Sequence, residues 1–217
     1  MNRRPGTFVT VDGPGGVGKS TLVTTLTDYL CGRGHRVHAT REPSNRPIGA
    51  FTRTHADEIT GYALACLVAA DRYDHLENEI RPRLAAGDTV VCDRYLASTL
   101  VVQRLDEVPE PFLLALNDGI TLPDLAVVLT AEPPVIAARL AERGAHHRFE
   151  RDPDSPAREL ALYERATQTL RAMNVPLLAL DTGNTTPSES AAQIAVSLTR
   201  RPGSVGPSDP DPLTVNR

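Results

Sequence analysis

The run GPGGVGKS, Gly13 to Ser20, constrains the fold of this chain more than any other feature. It fits the pattern G-x-x-x-x-G-K-[ST], which gains structural meaning from its flanks. Thr7 to Val11 (TFVTV) is a short β-branched and aromatic run that reads as a strand. Ser20 to Leu30 (STLVTTLTDYL) places Leu22, Val23, Leu26, Tyr29 and Leu30 at helical spacing, stopped by Gly32 and Gly34. Strand, glycine turn and helix in that order let successive backbone N–H groups curl around phosphate oxygens. Lys19 then reaches the β- and γ-phosphates as a point charge, and the Ser20 hydroxyl can ligate Mg²⁺. Of the 23 lysine and arginine side chains, only this one is a lysine. The spacing predicts a nucleotide-binding loop built from Gly13, Pro14, Gly15, Gly16, Val17, Gly18, Lys19, Ser20 and Thr21.

Length and composition bound what surrounds the loop. With 217 residues, 41% of them hydrophobic, the chain holds one substantial core, and residues 1–200 are expected to form a single domain. A net charge of −4 argues against a general nucleic-acid binder, which carries a basic surplus. Cys31, Cys66 and Cys92 are odd in number and lack C-x-x-C spacing, so they are expected as reduced, mostly buried thiols in the cytoplasm. No apolar run approaches the ~20 residues of a membrane span, and the N-terminus has no signal-like apolar region.

Apolar runs alternate with helical patterns along the rest of the chain. Residues 36–40, 89–92, 125–129 and 177–180 read as further strands, several apolar throughout, as parallel strands covered on both faces should be. Residues 61–85, 95–104, 110–117, 133–143 and 156–173 carry helical spacing, with Pro133 and Pro134 in a first turn and Gly144 closing that helix. The pattern predicts an α/β fold of three layers, a five-stranded parallel sheet flanked by helices, with ligands at the carboxyl ends of the strands. Residues 201–217, rich in Pro, Gly, Ser and Asp, are expected to form a disordered tail.

Chemically loaded clusters follow the strands: Thr40-Arg41-Glu42-Pro43, Ala70-Asp71-Arg72-Tyr73-Asp74-His75, Asp93-Arg94-Tyr95 with Ser98, and Arg143-Gly144 with Arg148-Phe149-Glu150. With the glycine loop, and over about residues 7–182, this series resembles the thymidylate kinases, P-loop nucleoside monophosphate kinases. The resemblance implies ATP as phosphoryl donor, Mg²⁺ bound through Ser20 and Asp93, a small nucleotide acceptor, and a homodimer formed through helices between Gly61 and Asn117. It implies that Arg41 and Arg94 hold the acceptor phosphate, a task suited to a guanidinium fork, and that Pro43, Val68, Arg72, Thr99 and Val102 line the acceptor site. Lys19, Arg94, Arg143 and Arg148 would be catalytic, the last two in a short lid spanning about residues 142–154, with Glu150 orienting Arg148. Gly16 stands where one branch of the family has a catalytic arginine, so the chain resembles the branch that supplies arginine from the lid.

Simple readings compete at individual residues. Arg41 with Glu42, or Arg72 with Asp71, could be surface ion pairs worth ~0–1 kcal/mol, and Arg139 could be an exposed helix arginine or a lid catalyst. His146 and His147 are expected as solvated residues, Arg81 and Arg83 as a solvated helix end, and Tyr163 in the base pocket or the core. Three departures from the resembled family fall on the acceptor's base and sugar: Gly15 replaces a carboxylate that addresses the sugar 3′-hydroxyl, Val68 an aromatic ring, and Val102 a tyrosine. They leave open a specialised acceptor, such as a modified nucleotide or nucleoside. A non-catalytic nucleotide-binding module is the third reading.

Overall fold

A computed structural model describes residues 6–144 and 155–199. Among these, five strands form one parallel sheet: β1 (Thr7–Asp12), β2 (Val37–Arg41), β3 (Thr89–Asp93), β4 (Leu125–Thr130) and β5 (Leu177–Asp181), in the order β2-β3-β1-β4-β5. Each strand runs one residue past its expected apolar run and ends on Asp12, Arg41, Asp93, Thr130 or Asp181. Hydrogen bonding to neighbouring strands carries the polar residue onto the carboxyl edge. Val11 lies in register with Asp93, and Asp93 with Arg41.

The helices are α1 (Lys19–Cys31), α2 (Pro47–His55), α3 (Gly61–His75), α4 (Arg81–Ala85), α5 (Leu96–Leu105), α6 (Glu110–Leu116), α7 (Pro133–Arg143), α8 (Ser155–Ala172) and α9 (Pro187–Thr199). A widened π-helical turn, Leu76–Ile80, joins α3 to α4, so the helix expected over 61–85 is continuous but not uniformly α. Two helices, α2 and α9, were not expected. In α2 only Gly49 and Thr52 are buried, so it lacks the broad apolar stripe that marks a helix in sequence. Helix α9 does carry one, with Ala191, Ile194, Ala195 and Leu198 packed on the core at i, i+3, i+4 and i+7 spacing, and the sequence reading missed it.

Alternation along the central strands divides the core in two. Phe8, Val90, Cys92, Ala126 and Val128 meet α5 and α8 through Leu96, Leu100, Tyr163, Ala166 and Leu170. Val9, Val11, Val91, Val127 and Leu129 meet α1, α7 and α9 through Leu22, Leu26, Ile136 and Ile194. With both faces covered, β1, β3 and β4 are buried almost throughout, as their apolar sequences require. The cysteine expectation needs correction: Cys92 is buried in β3, but Cys31 and Cys66 are exposed. Cys31 ends α1, and Cys66 follows the buried Leu64 and Ala65, so its side chain turns away from the core. Among the described residues no helix is long and apolar enough to cross a membrane. The expected tail, 201–217, lies outside the described residues.

Helix α2 is pressed onto the turn after β2. Asp71 of α3 accepts from the Ser44 N–H at 2.6 Å and the Ser44 hydroxyl at 2.5 Å, and a Cβ on Gly49 would collide with Ser44 O and Asp71 Oδ1. Backbone blocks one side of that contact, so Gly49→Ala should cost about 1–3 kcal/mol by overpacking. Urea unfolding should show a lower midpoint with an unchanged slope; an unchanged midpoint would contradict the packing described.

Candidate active site

The glycine loop connects the end of β1 to α1, and its conformation explains its glycines. Gly13, Gly16 and Gly18 have φ of 152°, 74° and 102°, in the range side-chain-bearing residues avoid. Gly16 carries a second constraint, because a Cβ there would lie 2.9 Å from Leu140 Cγ of α7. Helix α7 therefore rests directly on the loop, and an arginine at position 16 would have to displace it.

Lys19 is 7% exposed and folds back over its own loop, its Nζ donating to Gly13 O at 2.8 Å and Pro14 O at 2.7 Å. Desolvation, then the charge of Arg94, pushes its pKa down to about 7, against the opposing pull of Asp93, Glu159 and Asp12. Beside it the Ser20 hydroxyl donates to Asp93 Oδ2 at 2.7 Å, while Asp93 Oδ1 is buried without a hydrogen-bond partner. A hydroxyl and a carboxylate with a spare oxygen fit the all-oxygen donor set of Mg²⁺, whose other ligands come from water and phosphate. Among the described residues no group of three or more His, Cys, Asp or Glu side chains could hold a metal alone.

The next cation is placed by backbone strain. Arg94, between β3 and α5, has φ 71°, a left-handed conformation uncommon for a residue with a side chain. Its N–H bonds Val11 O at 2.9 Å, and the following Tyr95 N–H bonds Asp12 Oδ1 at 2.8 Å. Asp12 also accepts from the Ser98 N–H at 2.9 Å and the Ser98 hydroxyl at 2.7 Å. A fully buried carboxylate from β1 thus caps the N-terminus of α5, where the helix dipole favours negative charge. Burial raises the Asp12 pKa, opposed by the bonds from Ser98 and Tyr95.

Arg41 at the end of β2 is joined by Arg53 of α2, which the sequence reading missed. Both guanidinium groups reach Asn45 Oδ1, at 3.1 and 3.3 Å, and Arg53 also donates to Ser44 O at 2.6 Å and to Pro43 O. Desolvation, then the nearby Arg41 charge, lowers the Arg53 pKa against the opposing pull of Asp71. Nothing in its local sequence signalled Arg53, because α2 lacks an apolar stripe.

Arg72 is buried in a hydrogen-bonded network. Its Nε and Nη2 donate to Glu42 Oε2 at 2.8 and 2.6 Å, Nη2 also to Thr99 Oγ1 at 2.9 Å, and Nη1 to Asn117 Oδ1 at 2.5 Å. Glu42 approaches His75 Nδ1 at 3.5 Å, and His75 Nε2 meets Thr40 Oγ1 at 2.8 Å. The surface ion-pair reading therefore fails for Arg72, which pairs with Glu42 at 1% and 3% side-chain exposure.

One cavity of about 880 Å³ gathers these groups. Gly16, Val17, Gly18, Lys19, Ser20 and Thr21 line its glycine-loop end with Arg139, Arg143 and Thr182; Arg41, Pro43, Arg53, Val68, Arg72, Asp93, Arg94, Thr99 and Val102 line the rest. Gly13, Pro14 and Gly15 form the back of the loop instead. Tyr163 packs behind it, donating to Gly13 O at 2.8 Å and meeting Ser98 Oγ at 3.2 Å, which gives it the core position and not the base pocket. At Gly15, which has no carboxylate of its own, one arrives from α8: Glu159 Oε2 accepts the Gly15 N–H at 3.2 Å, and its Oε1 the Ser155 hydroxyl at 3.1 Å. Asp12 and Glu159 gave no signal in sequence because their partners are distant in the chain. Arg148 and Glu150, with His146, His147 and most of the lid expected over 142–154, lie outside the described residues.

Comparison with known proteins converges on one family. The family model for thymidylate kinase matches residues 11–174. A probable thymidylate kinase of Caldivirga maquilingensis is 40% identical over 151 residues, covering 68% of this chain and 74% of that protein. The thymidylate kinase of Magnetococcus marinus is 37% identical over 157 residues, covering 68% and 75%. Among solved structures, thymidylate kinase from Candida albicans superposes with a TM-score of 0.73 at 20% identity, over 89% of this chain and 91% of that one, a likeness of fold.

Because Lys19 is the only lysine, lysine-specific ¹⁵N labelling isolates its ammonium in NMR spectra. In the unliganded protein its signal should titrate near pH 7, far below the ordinary lysine value, because the buried charged form is penalised. Above that pH the amine is neutral, so phosphate binding should take up a proton and move the midpoint upward. A midpoint above about 9, close to the value of a free lysine, would contradict the desolvated placement.

Proposed function

The chain belongs to the thymidylate kinase family, and we propose that it transfers the γ-phosphoryl group of ATP to the 5′-phosphate of dTMP in the cytoplasm, giving dTDP and ADP. The observation that carries this reading is the convergence of Lys19, Arg41, Arg53 and Arg94 on one cavity whose other wall is a glycine loop. Transfer between two phosphates concentrates negative charge, and such a reaction needs positioning and electrostatic stabilisation more than a strong base.

Each residue has a task in that scheme. Lys19 exchanges its two loop carbonyls for oxygens of the donor phosphates, which also restores its proton. Ser20 and Asp93 would hold Mg²⁺, which neutralises charge on the phosphate oxygens. Arg94, its backbone pinned to β1 at the entry to α5, lines the cavity, where its guanidinium meets the acceptor phosphate, and Arg41 and Arg53 close the same phosphate from β2 and α2. Arg143 adds positive charge at the donor end of the cavity, and Arg148, by family resemblance, supplies the second lid arginine. Arg72 and Thr99 present polar groups to the base, set in place by Glu42 and Asn117. We also assign the protein as a homodimer joined through α3 and α6, where Tyr62 is 54% exposed and meets Phe112 edge-on.

A second reading is kept because the acceptor end contains Val68 and Val102 in place of rings: the natural acceptor is a modified nucleotide or nucleoside instead of dTMP. Stacking of an aromatic ring on a base contributes about 1–3 kcal/mol. On the dTMP reading, Val68→Phe should lower KM for dTMP about fivefold or more at nearly constant kcat, roughly 1 kcal/mol of recovered stacking. An unchanged or higher KM for dTMP, with faster turnover of another acceptor from a nucleotide panel, would favour the specialised reading. Lys19→Ala should reduce kcat by about 10² or more, comparable to losing one preorganised donor. ADP formation retained within a few-fold of the parent would remove the kinase assignment altogether.

A further inference from the structure

Arg139 lies on α7 one turn before Arg143, and the mechanism above does not use it. It is neither a solvated helix arginine nor free to move. Its Nη1 donates to Val17 O of the glycine loop at 3.3 Å and to Thr182 Oγ1 at 3.1 Å, and its Nη2 donates to Thr182 O at 2.9 Å. Thr182 closes the triangle: its hydroxyl donates to Val17 O at 2.8 Å, and its N–H to Thr130 O at 2.8 Å. Three separate segments, α7, the glycine loop and the loop between β5 and α9, therefore meet at one guanidinium on the wall of the cavity.

Among the described residues no carboxylate lies within ion-pair distance of Arg139. Asp181, its nearest acidic neighbour along the chain from Thr182, is turned instead to the Gly183 N–H at 2.8 Å and Asn184 Nδ2 at 2.7 Å. Arg139 is hydrogen-bonded only to neutral oxygens beside the glycine loop. Its charge helps to lower the pKa of Asp181 but is not held in an ion pair among the described residues, which leaves the guanidinium open to an anionic ligand. The contact between Gly16 and Leu140 means that any shift of α7 is felt by the loop directly.

We propose that Arg139 is a positioning residue for the donor nucleotide: by bridging Val17 and Thr182 it fixes the distance between the phosphate-binding loop and the β5–α9 loop, and its charge adds to donor affinity. This rests on the reading of the cavity as an ATP site. A planar fork is needed because one ammonium cannot hold the two carbonyls and the hydroxyl in the same plane.

The test compares Arg139→Ala, Arg139→Lys and Thr182→Val by steady-state kinetics and by calorimetric binding of ADP. Arg139→Ala should raise KM for ATP and Kd for ADP about tenfold, the scale of a lost charge-assisted contact, while kcat at saturating ATP and KM for the acceptor stay within about twofold. Arg139→Lys, which keeps the charge, should recover part of the affinity, and Thr182→Val should weaken ADP binding without affecting the acceptor. Unchanged KM for ATP and Kd for ADP would overturn the proposal. So would an equal rise in both KM values with a lower melting temperature, which marks general loosening. Weakened ADP binding in a protein that phosphorylates no monophosphate would support the bridge while refuting the kinase reading.

Discussion

Positive charge gathered around one cavity, part of it held away from water, is the condition on which the rest of this structure depends. Lys19 is desolvated with only carbonyl partners, Arg53 and Arg41 share one amide oxygen, and Arg94 is fixed in a left-handed turn. In the unliganded protein desolvation penalises the charged forms of Lys19 and Arg53, whereas acidic neighbours, Asp93 among them, support the charge of Arg94. Phosphate oxygens reverse that balance, so the cost of folding the site returns as binding and as stabilisation of the charge that builds up during transfer.

The frame offsets that positive charge through buried carboxylates that are hydrogen-bonded to distant elements. Asp12 ties β1 to the start of α5, so Arg94, Ser98 and Thr99 keep a constant relation to the glycine loop. Glu42 engages Arg72 and His75, and Asp71 engages the turn that follows. Glu159 reaches the loop from α8 at Gly15. These bonds join elements far apart in sequence, and none of them involves Val68 or Val102 on the cavity wall. That part of the wall can therefore vary while the residues around the glycine loop stay fixed.

Much of this was legible in the sequence, for reasons that vary by element. Strands β1, β3 and β4 were readable because burial on both faces demands unbroken apolar runs, whereas their last residues, Asp12 and Asp93, joined the sheet only through neighbouring strands. Lys19, Ser20 and Thr21, which line the cavity, were readable because the G-x-x-x-x-G-K-[ST] pattern fixes their spacing on one loop. Arg53 was not, since the helix that carries it is held by Gly49 and Thr52 and not by an apolar face. Arg72 was found, but its commitment to Glu42, Thr99 and Asn117 depends on three partners that no local pattern specifies. The exposed Cys31 and Cys66 show composition failing where helix phase decides.

The central claim is that this cavity brings two phosphates together and moves a phosphoryl group between them. ³¹P NMR of the protein with ATP, Mg²⁺ and dTMP tests it directly, because donor loss and acceptor gain are seen in one spectrum. The account predicts that ADP and dTDP appear in equal amounts, with no inorganic phosphate released. ATP cleaved to ADP and inorganic phosphate with dTMP and every other monophosphate unchanged would contradict it.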